Sequence, residues 1–132
     1  MRFTIYLIGY GNQVPADFLK RLELAGDQVL VIDVRSRRKS WARSYTTPQV
    51  EYLFKKAGHD YLWLPELGGD GHDSIGEAFG MMALEIQIRK QHLPVVLMCA
   101  ERLSSRCHRT RVAEELRQRL ELAGDQLDIR PL

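Results

Sequence analysis

Five short apolar runs alternate with four stretches of helical periodicity along this sequence of 132 residues. Alternation of this kind is typical of strand–helix–strand units, which form a mainly parallel sheet covered by helices. The run 29–34 suits a central parallel strand that is buried on both faces, and 95–99 is the fourth predicted strand. The length suits one compact domain. We therefore predict an α/β fold over residues 1–132: a single three-layer domain with a mostly parallel sheet of about five strands and four main helices.

The predicted helices carry recognisable start and stop signals. The first has Pro15 in its first turn and is expected to end at Gly26, and the second has Thr47 as its N-cap. The third begins with the capping box Ser74-x-x-Glu77. Helical spacing places a row of apolar residues of that helix in register on one face: Ile75, Phe79, Met82 and Ile86.

An octapeptide, Arg-Leu-Glu-Leu-Ala-Gly-Asp-Gln, occurs at 21–28 and again at 119–126. Each copy lies where a helix is expected to end at glycine and a strand to begin. The copies are separated by unrelated sequence, so they do not indicate a repeat architecture. We interpret them as the same helix-to-strand turn used twice.

Composition limits the classes of protein that fit. The longest uninterrupted apolar stretch, 95–100, is far shorter than the roughly 20 residues that span a bilayer. The N-terminal residues lack the pattern of a signal peptide. Two cysteines in such a chain suggest reduced thiols rather than a structural disulfide. We therefore expect a cytoplasmic protein that makes no membrane contact.

The net charge of +2 conceals a strong segregation of charge. Residues 35–43 contain five basic residues and no acid, and 101–111 contain four arginines with one acid. The segment 57–88 contains six acids and no lysine or arginine. Both basic segments follow predicted strands, where ligands of open α/β sheets bind. This placement predicts an anion site at the carboxyl edge of the sheet.

The densest group of reactive residue types follows the fourth strand. Arginines and a helix N-terminus near a thiol favour the thiolate, so Cys99 and Cys107 are candidate nucleophiles. Glu101 and His108 are candidate acid, base or orienting groups. Six residues separate Cys99 from Arg106, so a Cys-x5-Arg phosphatase loop does not fit. A zinc site and a purely structural Cys99 are the alternatives, although the ligand spacing does not support a metal.

Candidate ligand-binding residues lie at the predicted strand ends and in the loop after the fourth strand. Asp33 is the ambiguous member, since it can serve a ligand or be satisfied by a neighbouring arginine. No cofactor is assigned. The full set is Asn12, Asp33, Arg35, Glu66, Arg102, Arg106 and Arg109.

Four sequence blocks resemble the prokaryotic family catalogued as domain of unknown function 488. The blocks are 8–12, 33–36, 64–69 and 97–109, the last with the pattern Cys-x-Glu-x5-Cys-His-Arg. The resemblance implies a small cytoplasmic α/β protein and no established activity. The loop after Gly69 is shorter and more acidic than is usual in that family.

Two hypotheses of function follow. In the first, the pocket at the carboxyl edge binds an anionic or phosphorylated small molecule or a nucleotide, with the Cys/Glu/His/Arg cluster as possible enzymatic machinery. In the second, the chain is a nucleic-acid-binding module that uses the basic loop 35–43, with Trp41 or Tyr45 stacking on a base.

Overall fold

The computed structural model describes residues 1–35, 45–68, 74–99 and 108–132, and of residues 74 and 108 it describes the backbone alone. Five strands and four α-helices alternate in this part of the chain, with one 3₁₀ turn after the third strand. The strands are β1 (Arg2–Gly9), β2 (Leu30–Asp33), β3 (Asp60–Trp63), β4 (Val95–Cys99) and β5 (Gln126–Pro131). The helices are α1 (Pro15–Leu22), α2 (Thr47–Lys56), α3 (Ser74–Lys90) and α4 (His108–Leu122), and the 3₁₀ turn is Pro65–Leu67.

All five strands are parallel, in the order β3-β2-β4-β1-β5. Every residue of β2 and β4 is buried, and the apolar run 29–34 predicted this for β2. β5 forms one edge, where Pro131 is tolerated because an edge strand has one side without ladder hydrogen bonds.

The direction of the connections distributes the helices over both faces of the sheet. From β1 the chain adds β2 and then β3 toward one edge of the sheet. It then reverses and adds β4 and β5 toward the opposite edge. Right-handed crossovers therefore place α1 and α2 on one face and α3 and α4 on the other. The two buried clusters agree: one contains Phe18 and Phe54 from α1 and α2, and the other contains Leu84 and Leu116 from α3 and α4. The predicted three-layer α/β fold is confirmed.

Two predicted details of the helices are wrong. α1 ends at Leu22, four residues before Gly26, because residues 23–26 form tighter turns. The N-cap of α2 is Thr46, since Thr47 already has helical geometry. The predicted capping box of α3 stays a prediction, because the Ser74 side chain is not described; its other member, Glu77, forms an ion pair with Arg111 of α4 at 2.7 Å.

The apolar row predicted on α3 lies on the solvent-exposed face of the helix, away from the sheet. Its four members are between 48 and 66% exposed. The face packed on the sheet is instead formed by Met81, Leu84 and Ile88. α3 is therefore apolar on two opposite faces, one buried and one open to solvent.

Candidate functional site

The carboxyl ends of β1, β2 and β4 lie side by side. Gly9 pairs with Cys99, and Asp33 pairs with Met98. The helix that follows β4 is α4, which packs on one face of the sheet, whereas α1 and α2, which follow β1 and β2, pack on the other face. Adjacent strands whose connections diverge in this way leave a crevice, and ligands of open α/β sheets bind there.

Asp33 and Arg35 form a buried ion pair at the end of β2. Arg35 Nε donates to Asp33 Oδ1 at 2.9 Å, and Arg35 Nη2 donates to Asp33 Oδ2 at 2.7 Å. The backbone N–H of Arg35 donates to the same carboxylate, and Arg35 Nη1 donates to the carbonyl oxygen of Tyr45. Asp33 is fully buried and Arg35 is 8% exposed. The guanidinium is thus held by protein groups, and the carboxylate is satisfied by the neighbouring arginine.

Aromatic side chains surround this ion pair. The Tyr61 hydroxyl donates to Asp33 Oδ2 at 2.6 Å, and Trp63 Nε1 donates to the carbonyl oxygen of Arg35 at 2.6 Å. The ring of Tyr10 lies 5.6 Å from the Arg35 guanidinium and stacks on Tyr45 with centroids 4.0 Å apart. We call the five residues with the closest interactions the tyrosine–arginine cluster: Tyr10, Asp33, Arg35, Tyr45 and Tyr61.

The ionisation of this cluster follows from its burial and its single carboxylate. Burial opposes the charge of Arg35, but the hydrogen bonds and negative charge of Asp33 outweigh it and raise the pKa of Arg35. Burial and the charge of Asp33 raise the pKa of the Tyr61 hydroxyl. Burial and the neighbouring Tyr10 raise the pKa of Tyr45 to about 12. The arginine is therefore charged and both phenols are neutral at physiological pH.

Cys99 and Arg109 meet at the end of β4. Arg109 Nη1 lies 2.9 Å from Cys99 Sγ, and the two residues are 2% and 3% exposed. We call them the thiol pair. Cys99 belongs to the core under α3 and α4, whereas Tyr10 and Tyr45 belong to the core under α1 and α2. The thiol pair and the tyrosine–arginine cluster therefore share one sheet edge but pack against opposite faces.

Cys99 is disulfide-bonded, contrary to the expectation of reduced thiols. Cys107 is the other cysteine of the sequence and lies outside the described residues. A sulfur in a disulfide carries no proton to lose, so Cys99 is not a nucleophile until the bond is reduced.

The remaining predicted site residues are spread along the same edge or lie beyond the description. Asn12 is exposed in the turn after β1, where Gly11 has a φ of 52° that glycine adopts without strain. Glu66 is partly buried in the 3₁₀ turn. His108 begins α4, and its side chain is not described. The predicted residues Glu101, Arg102, Arg106 and Cys107, the basic loop beyond Arg35, and the acidic loop 69–73 lie outside the described residues.

Sequence reasoning missed the aromatic residues that enclose Asp33 and Arg35. Tyr61 and Trp63 alternate along β3 and so share a face of the sheet, which is the one signal that could have linked them. Tyr10 and Tyr45 meet through folding alone, because they are 35 positions apart in the sequence and nothing local relates them.

The part of the chain that the structure describes shows neither a metal-binding cluster nor a membrane-spanning helix. In the described ranges, no group of three or more His, Cys, Asp or Glu side chains is arranged to hold a metal ion. None of the helices in the same part of the chain is long and apolar enough to cross a membrane. Comparison of the chain with protein-family models, with curated proteins and with solved structures finds no match.

Proposed function

We propose that the thiol pair is the centre of a thiol-dependent enzyme that binds an anionic substrate, a phosphorylated small molecule or a nucleotide, at the carboxyl edge of the sheet. The observation that carries this proposal is the buried guanidinium of Arg109 at 2.9 Å from Cys99 Sγ. Arginine beside a sulfur stabilises the thiolate form, which is the form that attacks electrophiles.

Burial strengthens the interaction between these two groups. A cation removed from water is costly unless negative or strongly polar groups face it. In the disulfide, Cys99 Sγ offers Arg109 a weak acceptor; after reduction and ionisation the same atom carries a full negative charge. Reduction and ionisation of Cys99 therefore strengthen its attraction to the Arg109 guanidinium.

α4 adds to the positive potential at this point. The helix begins at His108, next to the buried Arg109, and runs for 15 residues. The N–H groups of its first turn and the positive end of its dipole favour an anion at this end. Together with the guanidinium, they supply a site for the phosphate of a substrate beside the thiolate.

The proposed enzyme needs a reductant to become active. A dithiol, either a small molecule or a protein, transfers two electrons to the disulfide; the disulfide becomes two thiols and the dithiol becomes a disulfide. Cytoplasmic disulfides are typically transient and catalytic or redox-sensing, so a cytoplasmic location agrees with this cycle.

In this proposal the tyrosine–arginine cluster shapes the edge and does not bind the anion. Arg35 is occupied by Asp33 and Tyr45, so its role is to fix the chain where it leaves β2. Because Arg35 is engaged in this way, it does not contribute to the phosphate contacts that a nucleic-acid-binding module would make through loop 35–43.

Membership of the domain of unknown function 488 family is part of the same proposal. Its support is that the four resembling blocks follow, or include the ends of, β1, β2, β3 and β4. Blocks that are distant in sequence thus converge on one edge of the sheet, as expected of residues that serve one site.

The test is the alkylation rate of Cys99 in a Cys107→Ser background, where it is the single thiol. Arg109→Met removes the adjacent cation, and we expect alkylation by iodoacetamide at neutral pH to slow by about tenfold or more. Arg111→Met is the matched control, because Arg111 is an exposed arginine two positions away on α4. We expect that control to alkylate at the parent rate. Equal rates in all three proteins would contradict the proposal.

Nucleic-acid binding is distinguished by a separate measurement. Single-stranded oligonucleotide binding that weakens steeply with salt and is unaffected by Cys99→Ala would favour the module over the enzyme.

A further inference from the structure

The outer face of α3 is an exposed apolar surface. Ile75, Phe79, Met82 and Ile86 are 66, 65, 48 and 56% exposed. We call these four residues the α3 stripe. A helix that is apolar on all sides is normally covered on all sides, whereas here the sheet covers only the face of Leu84. The stripe therefore calls for a partner outside the chain as described.

The spacing of the stripe identifies the partner as a helix. Its members are separated by four, three and four residues, which is the spacing of the seam between two paired helices. The spacing reads the same in both directions along α3. Residue type is also symmetric, with isoleucine at both ends and large flexible or aromatic side chains between them. A stripe with this symmetry is complementary to itself under a twofold rotation.

We propose that the α3 stripe is the interface of a homodimer, in which α3 packs antiparallel against α3 of a second copy of this chain. Ile75 then faces Ile86 of the second copy, and Phe79 faces Met82 of the second copy. The proposal concerns assembly and does not depend on the chemistry of the thiol pair.

The distribution of charge selects the antiparallel order. The first 15 residues of α3 contain no lysine or arginine, and Arg89 and Lys90 end it. Parallel packing would bring the two basic ends together. Antiparallel packing separates them by about 25 Å, the length of a helix of 17 residues.

The surface beside the α3 stripe also contains a hollow that can receive a side chain of the second copy. Beside the stripe is a hollow of about 220 Å³ lined by Met82, Glu85, Ile86, Arg89 and Arg119. In the antiparallel arrangement Phe79 of the second copy lies opposite Met82 at this hollow. Insertion of an aromatic knob between residues one turn apart is the packing that paired helices use.

The area is sufficient for a specific but modest interface. Four large side chains that are about half exposed offer on the order of 400–500 Å² per copy, which approaches 1,000 Å² for the pair. A patch of this size is at the upper end of what monomers expose. We therefore expect a dimer with a dissociation constant on the order of micromolar.

The test is analytical ultracentrifugation of the whole chain over a concentration series that reaches on the order of 100 µM. We expect the parent chain to be a dimer at the upper end and Phe79→Glu to be a monomer throughout. Tyr52→Glu is the matched control, because Tyr52 is an aromatic residue of similar exposure on α2, and it should dimerise like the parent. Circular dichroism shows whether each variant is folded.

Two results would overturn the inference. A parent chain that stays monomeric at the highest concentration would overturn it. If that monomer binds phosphatidylcholine vesicles through Phe79, the stripe serves a lipid surface instead. A folded Phe79→Glu variant that dimerises as tightly as the parent would place the interface elsewhere. If Phe79→Glu is unfolded, Ile86→Gln at the C-terminal end of the stripe replaces it, and a loss of at least tenfold in dimer affinity is expected.

Discussion

Replacing Asp33 with asparagine tests the energetic role of the tyrosine–arginine cluster. The substitution keeps the size of the side chain and removes the only charge that the described structure pairs with Arg35. Arg35 is 8% exposed, so its guanidinium stays largely out of water without a counter-charge. Breaking a buried ion pair by removing one partner typically costs about 3–5 kcal/mol. The carboxylate oxygens of Asp33 accept hydrogen bonds from Arg35 and Tyr61. In asparagine, an NH₂ group replaces one of these oxygens and cannot accept them.

The assay is urea denaturation of the parent chain and of three variants, with the free energy of unfolding taken from the midpoint and slope. We expect Asp33→Asn to lose about 3–5 kcal/mol, which is a large share of the stability of an ordinary domain. Tyr61→Phe removes one hydrogen bond to the carboxylate and should lose about 1.5–3 kcal/mol. The double variant Asp33→Leu with Arg35→Met removes both charges and should recover at least half of the loss.

The outcome that refutes this reasoning is a loss below about 1 kcal/mol in Asp33→Asn. Such a result would mean that Arg35 reaches water or another partner, and that the ion pair contributes no more than a surface pair. A double variant less stable than Asp33→Asn would also contradict it, since the damage would then come from lost packing rather than from an unpaired charge.

The remaining predictions concern pH dependence and packing. The pKa of Tyr45 is about 12 in the folded chain and near 10 when unfolded, so the stability it contributes is complete below pH 10 and is lost as the pH rises through about 12. Urea denaturation should show a shallower alkaline decline in Tyr45→Phe than in the parent; equal declines would contradict the assignment. In Gly80→Ala the new Cβ would lie 2.9 Å from Leu67 Cδ2, and we expect overpacking of about 1–3 kcal/mol to exceed the gain of about 1 kcal/mol in helix propensity. Ala78→Gly, at an exposed position of the same helix, measures that propensity separately, and a stabilised Gly80→Ala would refute the close packing.

The fold was predictable because the apolar runs and the helical stretches of the sequence both indicate an α/β fold. The apolar runs of β2 and β4 are fully buried, and helical stretches separate all five strands. The sequence does not state which face of an apolar helix meets the sheet. α3 has apolar residues on both faces, and the structure buries Leu84 in the core and leaves Phe79 exposed.

The repeated octapeptide shows how context decides local structure. Both copies bury their first leucine, but α4 continues to Leu122 whereas α1 ends at Leu22. Gly124 follows α4 with a φ of 85°, and Asp125 N–H donates to the carbonyl oxygen of Leu120. In the first copy, a Cβ on Gly26 would lie 3.2 Å from Pro94, so tertiary packing shapes that turn.

At the site, sequence reasoning identified the residue types but not their partners. Asp33 and Arg35 are two positions apart, and that spacing fits both a ligand-binding pair and an internal ion pair. The choice depends on Tyr10, Tyr45 and Tyr61, which enclose the pair and are brought there only by folding. Arg109 was expected to bind a ligand, and the structure places it against Cys99.

Protection of the Cys99 thiol by inorganic phosphate is the most direct measurement of the proposed anion-binding thiol site. In the Cys107→Ser background, phosphate should slow alkylation of Cys99 by iodoacetamide in a saturable manner, and Arg109→Met should abolish the protection while Arg111→Met retains it. Alkylation that is indifferent to phosphate, or protection that survives in Arg109→Met, would contradict the assignment of Arg109 and Cys99 to one anion-binding site.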